Sequence, residues 1–155
     1  MRISDYSKSI DELSTDTVVL TMHEDEKPPK EISGLIDWRL HGILSRTLKR
    51  NWFKCEKFDT CLIPVRTKFM ARRILLLGAG KKGDWKVADA LSAGTKVAEI
   101  LKGLDVHEAA LWCHKASDES EDRKTKKEFL RGFELKNAMS DIHVVWLEHR
   151  VLQIS

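Results

Sequence analysis

Long apolar runs are missing from this sequence, and prolines and cysteines are few; each shortage narrows what the chain is. Its apolar runs, Ile74–Leu77 among them, are a handful of residues. A bilayer span takes ~20, so no membrane segment is expected. After Arg2 the N-terminus continues Ile3-Ser4-Asp5-Tyr6, without the apolar stretch of a secretory signal. There are three cysteines, Cys55, Cys61 and Cys113. An odd count in an unsecreted chain reads as reduced thiols, and a cytoplasmic location is the expectation.

Several catalytic patterns are also absent. Nothing reads G-x-x-x-x-G-K-[ST], so the nucleoside-triphosphate P-loop is excluded, and there is no G-x-S-x-G nucleophile elbow. Cys55 and Cys61 are five residues apart in the intervening sequence, which is not common zinc spacing. Cys113 and His114 are adjacent, so on a strand they point to opposite faces. His143 and His149 share no evident third ligand, and His41 and His107 read as surface or interface histidines. No cofactor or metal is expected, and Glu24, Asp25 and Glu26 read as a solvated loop cluster.

What is present fits one domain over residues 1–155. Of the 155 residues 42% are apolar, enough for a single core, and 33% are charged. The net charge of +3 is unevenly spread: residues 1–37 carry 4 basic and 9 acidic side chains, whereas residues 38–86 carry 13 and 3. This central basic block either faces an anionic partner or decorates the outer faces of helices whose inner faces are apolar.

The β-branched run Thr17–Met22 predicts a buried strand that stops at the loop containing Pro28 and Pro29. Ile36, Leu40, Leu44 and Leu48 recur every four residues and predict one helix over Ser33–Arg50, with Ser33 as its cap and Asp37 in its first turn. Cys61–Val65 and Arg73–Leu77 predict two strands with no helix between them, hence an antiparallel pair; Pro64 puts the first at an edge. A second helix follows, capped by Asp84, with the stripe Val87, Leu91, Gly94, Ala98 and Leu101 and a stop at Gly103. Then come a strand at Ala109–Cys113, a third helix within Ser117–Met139, and strands at Ile142–Leu147 and Val151–Ile154. Helices alternating with strands imply an α/β fold of three layers, a mixed, mostly parallel sheet of five or six strands flanked by helices.

Two local patterns bear on function. Gly78-Ala79-Gly80-Lys81-Lys82-Gly83 matches G-x-G-x-x-G after a strand and before a helix, where backbone N–H groups can meet a phosphate and the lysines add charge. The acid that a dinucleotide site wants about 20 residues further on is not in place, since Asp105 precedes its strand. The second pattern is tryptophan among cations. Trp38, Trp52 and Trp85 stand among Arg39, Lys49, Arg50, Lys54 and Lys86, with Arg46 on the same segment, a mixture that either stacks bases, holds a protein partner or packs helix ends. Trp112 and Trp146 read as core.

Several of these segments, taken in order, resemble the N-terminal domain of the cytosolic leucyl aminopeptidase family. They are Asp16-Thr-Val-Val-Leu with His23-Glu-Asp-Glu, then Gly34-Leu-Ile-Asp37-Trp-Arg-Leu40-His-Gly42-Ile-Leu, then Ala71-Arg-Arg-Ile-Leu-Leu-Leu-Gly78-Ala-Gly80-Lys81, and finally Phe129-Leu-Arg-Gly132-Phe-Glu-Leu. The resemblance covers most of residues 16–140 and implies a macro-domain-like fold. The family's two-metal active site lies in a separate C-terminal domain, whose Asn-Thr-Asp-Ala-Glu-Gly-Arg signature is not in this sequence. The resemblance therefore passes no catalytic role to any residue here, and it gives the glycine–lysine turn a structural role. Three functions stay open. One is non-catalytic assembly or regulation through a homo-oligomer or protein partner, and another is binding of ADP-ribose or another nucleotide. The third is nucleic-acid binding through residues 38–86, a behaviour to which that of some bacterial members of the family is similar.

Overall fold

The computed structural model describes residues 1–66, 71–114, 118–137 and 141–148. The elements are β1 (Arg2–Tyr6), β2 (Thr17–Met22), α1 (Glu31–Arg39), α2 (Ile43–Lys49), β3 (Thr60–Pro64), β4 (Arg73–Gly78), α3 (Val87–Gly103), β5 (Glu108–Trp112), α4 (Glu119–Asn137) and β6 (His143–Leu147). One six-stranded sheet has the order β1-β6-β5-β2-β4-β3. Every pairing is parallel except β3 with β4, which is antiparallel, as the missing helix between them requires. The mixed sheet expected from sequence is therefore the one found. The strand expected at Val151–Ile154 lies outside the described residues, as do His149 and the ends Ser117 and Met139.

Alternation along each strand divides the core in two. Val18, Leu20 and Met22 of β2, with Ile74 and Leu76 of β4, pack under Ile32, Ile36, Leu44 and Leu48 of α1 and α2. Val19, Leu75 and Leu77 face the opposite way, onto Ala93, Val97, Leu101, Phe129 and Phe133 of α3 and α4. The central strands are thus covered on both sides, which is why their runs are apolar without alternation. α3 and α4 meet backbone to backbone: a Cβ on Gly132 would lie 2.1 Å from the carbonyl oxygen of Leu91, and one on Gly94 2.0 Å from that of Phe129.

Three local expectations are corrected. The helix predicted over Ser33–Arg50 is two helices, because His41 and Gly42 take positive φ values of 56° and 81° and turn the chain between them. Ser33 is therefore inside α1 and caps nothing. Asp37, near the end of α1, caps the next helix instead, since its Oδ1 accepts the backbone N–H of Leu44 at 2.8 Å and of Ser45 at 3.1 Å. The helix after the glycine turn starts only at Val87; Asp84 closes a short 3-10 turn (Lys82–Asp84), and Asp89 accepts the Lys86 N–H at 2.9 Å. β1 was not expected at all. It is an edge strand, largely exposed on both faces, so it has no apolar alternation to announce it.

Candidate functional site

The helix after β2 lies on one face of the sheet, whereas those after β4 and β5 lie on the other. The connections therefore diverge at the carboxyl end of β2, the place where open α/β sheets form a crevice. Thr21, His23, Glu26, Lys30, Ser33 and His114 line it. His23 is 3% exposed, and its Nδ1 donates to the carbonyl oxygen of Gly80 at 3.0 Å, since a carbonyl can only accept. The His114 ring stands edge-on to His23 with 3.9 Å between centroids and edge-on to Trp85 at 5.2 Å. Thr21 Oγ1 accepts the backbone N–H of His114 at 2.8 Å. Burial pushes the His23 pKa down; the Gly80 carbonyl and the nearby Glu26 and Asp25 charges oppose this, and Lys82 adds to it. The hydroxyl of Ser33, 3% exposed, has no hydrogen-bond partner among the described residues. The crevice leaves about 10 Å³ for the centre of a water-sized sphere, room for about one water. A larger recess of ≈ 140 Å³ lies on the other face, between α4 and the ends of β5 and β6, lined by Asp122, Arg123, Thr125, Lys126, Trp146 and Glu148.

The glycine turn adjoins this crevice, with its donors turned inward. The Gly78 N–H bonds to Asp59, that of Ala79 to Met22 and that of Gly80 to Cys55, at 2.7, 2.8 and 2.9 Å. The Lys82 N–H donates to the Asp25 carboxylate at 3.1 Å, and the Lys82 amine pairs with Glu26 at 3.0 Å. That hydrogen bond holds Asp25 below the usual carboxylate range. Gly78 is needed because a Cβ there would sit 1.9 Å from the carbonyl oxygen of Glu56, and Gly80 because its φ is +68°. Lys81, Lys82 and Gly83 are exposed, and nothing lies within 4 Å of a Cβ on Gly83. The loop acids, expected to be merely solvated, thus latch onto this turn.

The second group of expected residues is spread over α1, α2 and the segment that follows α2. Trp38 and Trp52 are each 68% exposed. The guanidinium of Arg39 covers the Trp38 ring at 4.6 Å, and that of Arg50 covers Trp52 at 5.0 Å. Arg39 also forms a two-pronged pair with Asp11, at 2.8 and 2.7 Å, which lowers the pKa of Asp11 and raises that of Arg39. Arg46 donates to the His41 carbonyl, whereas Lys49 and Lys54 are exposed and make no ion pair among the described residues. Trp85 stands edge-on to His114 and packs against the core under α3 and α4, and Trp112 and Trp146 are buried.

Cys55 and Cys113 are buried, and burial pushes their thiols up to about 11 and about 12. Cys61 is free and partly exposed. No helix among the described residues is long and apolar enough to cross a membrane. Among them, no three His, Cys, Asp or Glu side chains converge as metal ligands would.

Strand order and crevice together define a macrodomain-like α/β unit. Residues 18–137 match the cytosol aminopeptidase family, N-terminal domain, and the chain belongs to that family. A probable cytosol aminopeptidase of Alkaliphilus oremlandii (strain OhILAs) is 29% identical over 86 residues, which are 56% of this chain and 17% of that protein. Among solved structures, a tomato leucine aminopeptidase mutant is similar with a TM-score of 0.75 at 15% identity, over 96% of this chain and 32% of that one. The DarG macrodomain of Mycobacterium tuberculosis is similar with a TM-score of 0.70 at 13% identity, over 94% and 96%. The macrodomain of Trypanosoma brucei in complex with ADP-ribose gives 0.69 at 14% identity, over 94% and 63%. The chain thus spans about a third of the tomato enzyme and far less of the curated relative.

Proposed function

We propose that this domain is a protein-contact module, serving assembly or regulation and performing no chemistry itself, and that its working surface is the outer face of α1–α2. The observation that carries the reading is the pair Trp38 and Trp52, two-thirds exposed and each with an arginine guanidinium over its ring. Tryptophan and arginine carry much of the binding energy at protein interfaces, and a stacked arginine holds its ring in place before a partner arrives. Lys49 and Lys54 add exposed cations that form no ion pair among the described residues. A photoreactive residue in place of Trp52 is expected to cross-link one defined protein, whether a second copy or another chain, and one in place of the exposed Lys96 of α3 is not. The same products from both positions would overturn the reading.

Nucleotide binding is the second reading. It is supported by the crevice at the end of β2, with its edge-on histidines and unpartnered Ser33 hydroxyl, and by the fold's likeness to a macrodomain that binds ADP-ribose. The room for about one water and the inward-turned donors of the glycine turn rank it lower. A rise in melting temperature with ADP-ribose well above its dissociation constant, lost in Ser33→Leu, is its signature; an unchanged melt removes it. Nucleic-acid binding uses the same α1–α2 residues, and a steep fall of affinity with salt would identify it.

A further inference from the structure

We infer that the α1–α2 surface docks the acidic first turn of α4 from a second copy of this chain. The inference rests on the protein-contact reading and adds the identity of the partner. From Trp38 to Cys55 the chain carries Arg39, Arg46, Lys49, Arg50 and Lys54 and no acid at all. Over Asp118–Asp122 it carries Asp118, Glu119, Glu121 and Asp122 and no base. Lys49, Arg50, Lys54, Asp118 and Glu119 are all exposed. Among the described residues Lys49, Lys54 and Glu119 form no ion pair, in contrast to Glu26, which is already spent on Lys82. Asp118 Oδ1 accepts the N–H of Glu121 at 2.7 Å, which fixes where that turn presents its charge.

The two patches cannot neutralise each other within one molecule. α1 and α2 pack on one face of the sheet and α4 on the other, and among the described residues no ion pair joins the two patches. Because the two patches differ, the contact that joins them either repeats head to tail, giving a ring if the rotation closes and a filament if it does not, or is made twice about a two-fold axis. Exposed ion pairs alone contribute little. Trp38 and Trp52 supply the apolar area, and the charges set which face of the neighbour they meet.

Charge exchange between two variants tests this. Lys49→Glu, Arg50→Glu and Lys54→Glu together turn the charge of Trp38–Cys55 from +5 to −1, and Glu119→Lys, Glu121→Lys and Asp122→Lys turn that of Asp118–Asp122 from −4 to +2 while Asp118 stays as the helix cap; thermal melts check that each variant folds. Sedimentation across the micromolar range should show wild-type association that weakens with salt. Each variant alone should associate at least about tenfold more weakly, because like charges then face each other. An equimolar mixture should recover association, since each altered patch then meets its complement. A mixture no more associated than its components overturns the inference. So does wild-type association that survives both charge changes yet is lost in Trp38→Ala with Trp52→Ala, an outcome that leaves the protein-contact reading standing. Assembly that disappears on nuclease treatment overturns it in favour of nucleic acid. A wild-type chain that stays monomeric overturns it too, and the cross-link at Trp52 then decides separately whether another protein uses the surface.

Discussion

Asp25 accepts the backbone N–H of Lys82 at 3.1 Å, so the chain's own carboxylate takes up a donor that a phosphate on the glycine turn would use. Around this latch the glycines differ in what they do, and their substitutions should separate. Gly83→Ala should be neutral, since a Cβ there meets nothing. Gly80→Ala should cost about 1–2 kcal/mol for its left-handed backbone. Gly78→Ala, forced against the Glu56 carbonyl, should cost more than about 3 kcal/mol or prevent folding. Urea denaturation orders the three, and equal losses at all three positions would refute the geometry.

His23 should make stability fall with acidification. Its folded pKa lies below the unfolded value of about 6.5, so the unfolded chain binds more protons in that region. The stability it contributes is complete above that pH and is lost as pH drops below it. Asp11 and Asp25 have lowered pKa values, so their contribution is lost at lower pH, below about 4. Melting temperature between pH 7.5 and 5 should therefore decline in the wild type and flatten in His23→Gln, as read by circular dichroism.

Asp37→Ala should cost about 1–2 kcal/mol, because it strips the N-terminal donors of α2 in a buried place. Asp11→Ala, which breaks only an exposed pair with Arg39, should cost less than about 1 kcal/mol. Equal losses in chemical denaturation would contradict these assignments.

Thiol titration should find one reactive cysteine in the native protein and three after unfolding. Cys55 and Cys113 are buried and poorly ionised, whereas Cys61 sits on the edge strand β3 and is partly exposed. Rapid modification of Cys113 in the native state would contradict its place in the core.

The fold was legible where a residue's burial follows its local pattern. Thr17–Met22 and Arg73–Leu77 announce central strands because both faces are covered, and Pro64 announces an edge. The break between α1 and α2 was hidden because the four-residue spacing of Leu40, Leu44 and Leu48 runs on through the turn at His41 and Gly42. The site was legible only in halves. The cations and tryptophans of α1–α2 are neighbours in sequence, so their mixture could be read directly. His23 and His114 are brought together only by the pairing of β2 with β5, and nothing local to either histidine announces the contact. The G-x-G-x-x-G match tells half the story for a related reason: sequence shows its glycines and hides that Asp59, Met22, Cys55 and Asp25 take the N–H groups of Gly78, Ala79, Gly80 and Lys82.

Hydroxyl-radical footprinting of the assembled protein against the dissociated domain tests the role of the α1–α2 face most directly, with Trp112 and Trp146 as buried internal references. A protein-contact module should show Trp38 and Trp52 oxidised readily when dissociated and protected on assembly. Equal oxidation of both tryptophans in the two states would contradict it.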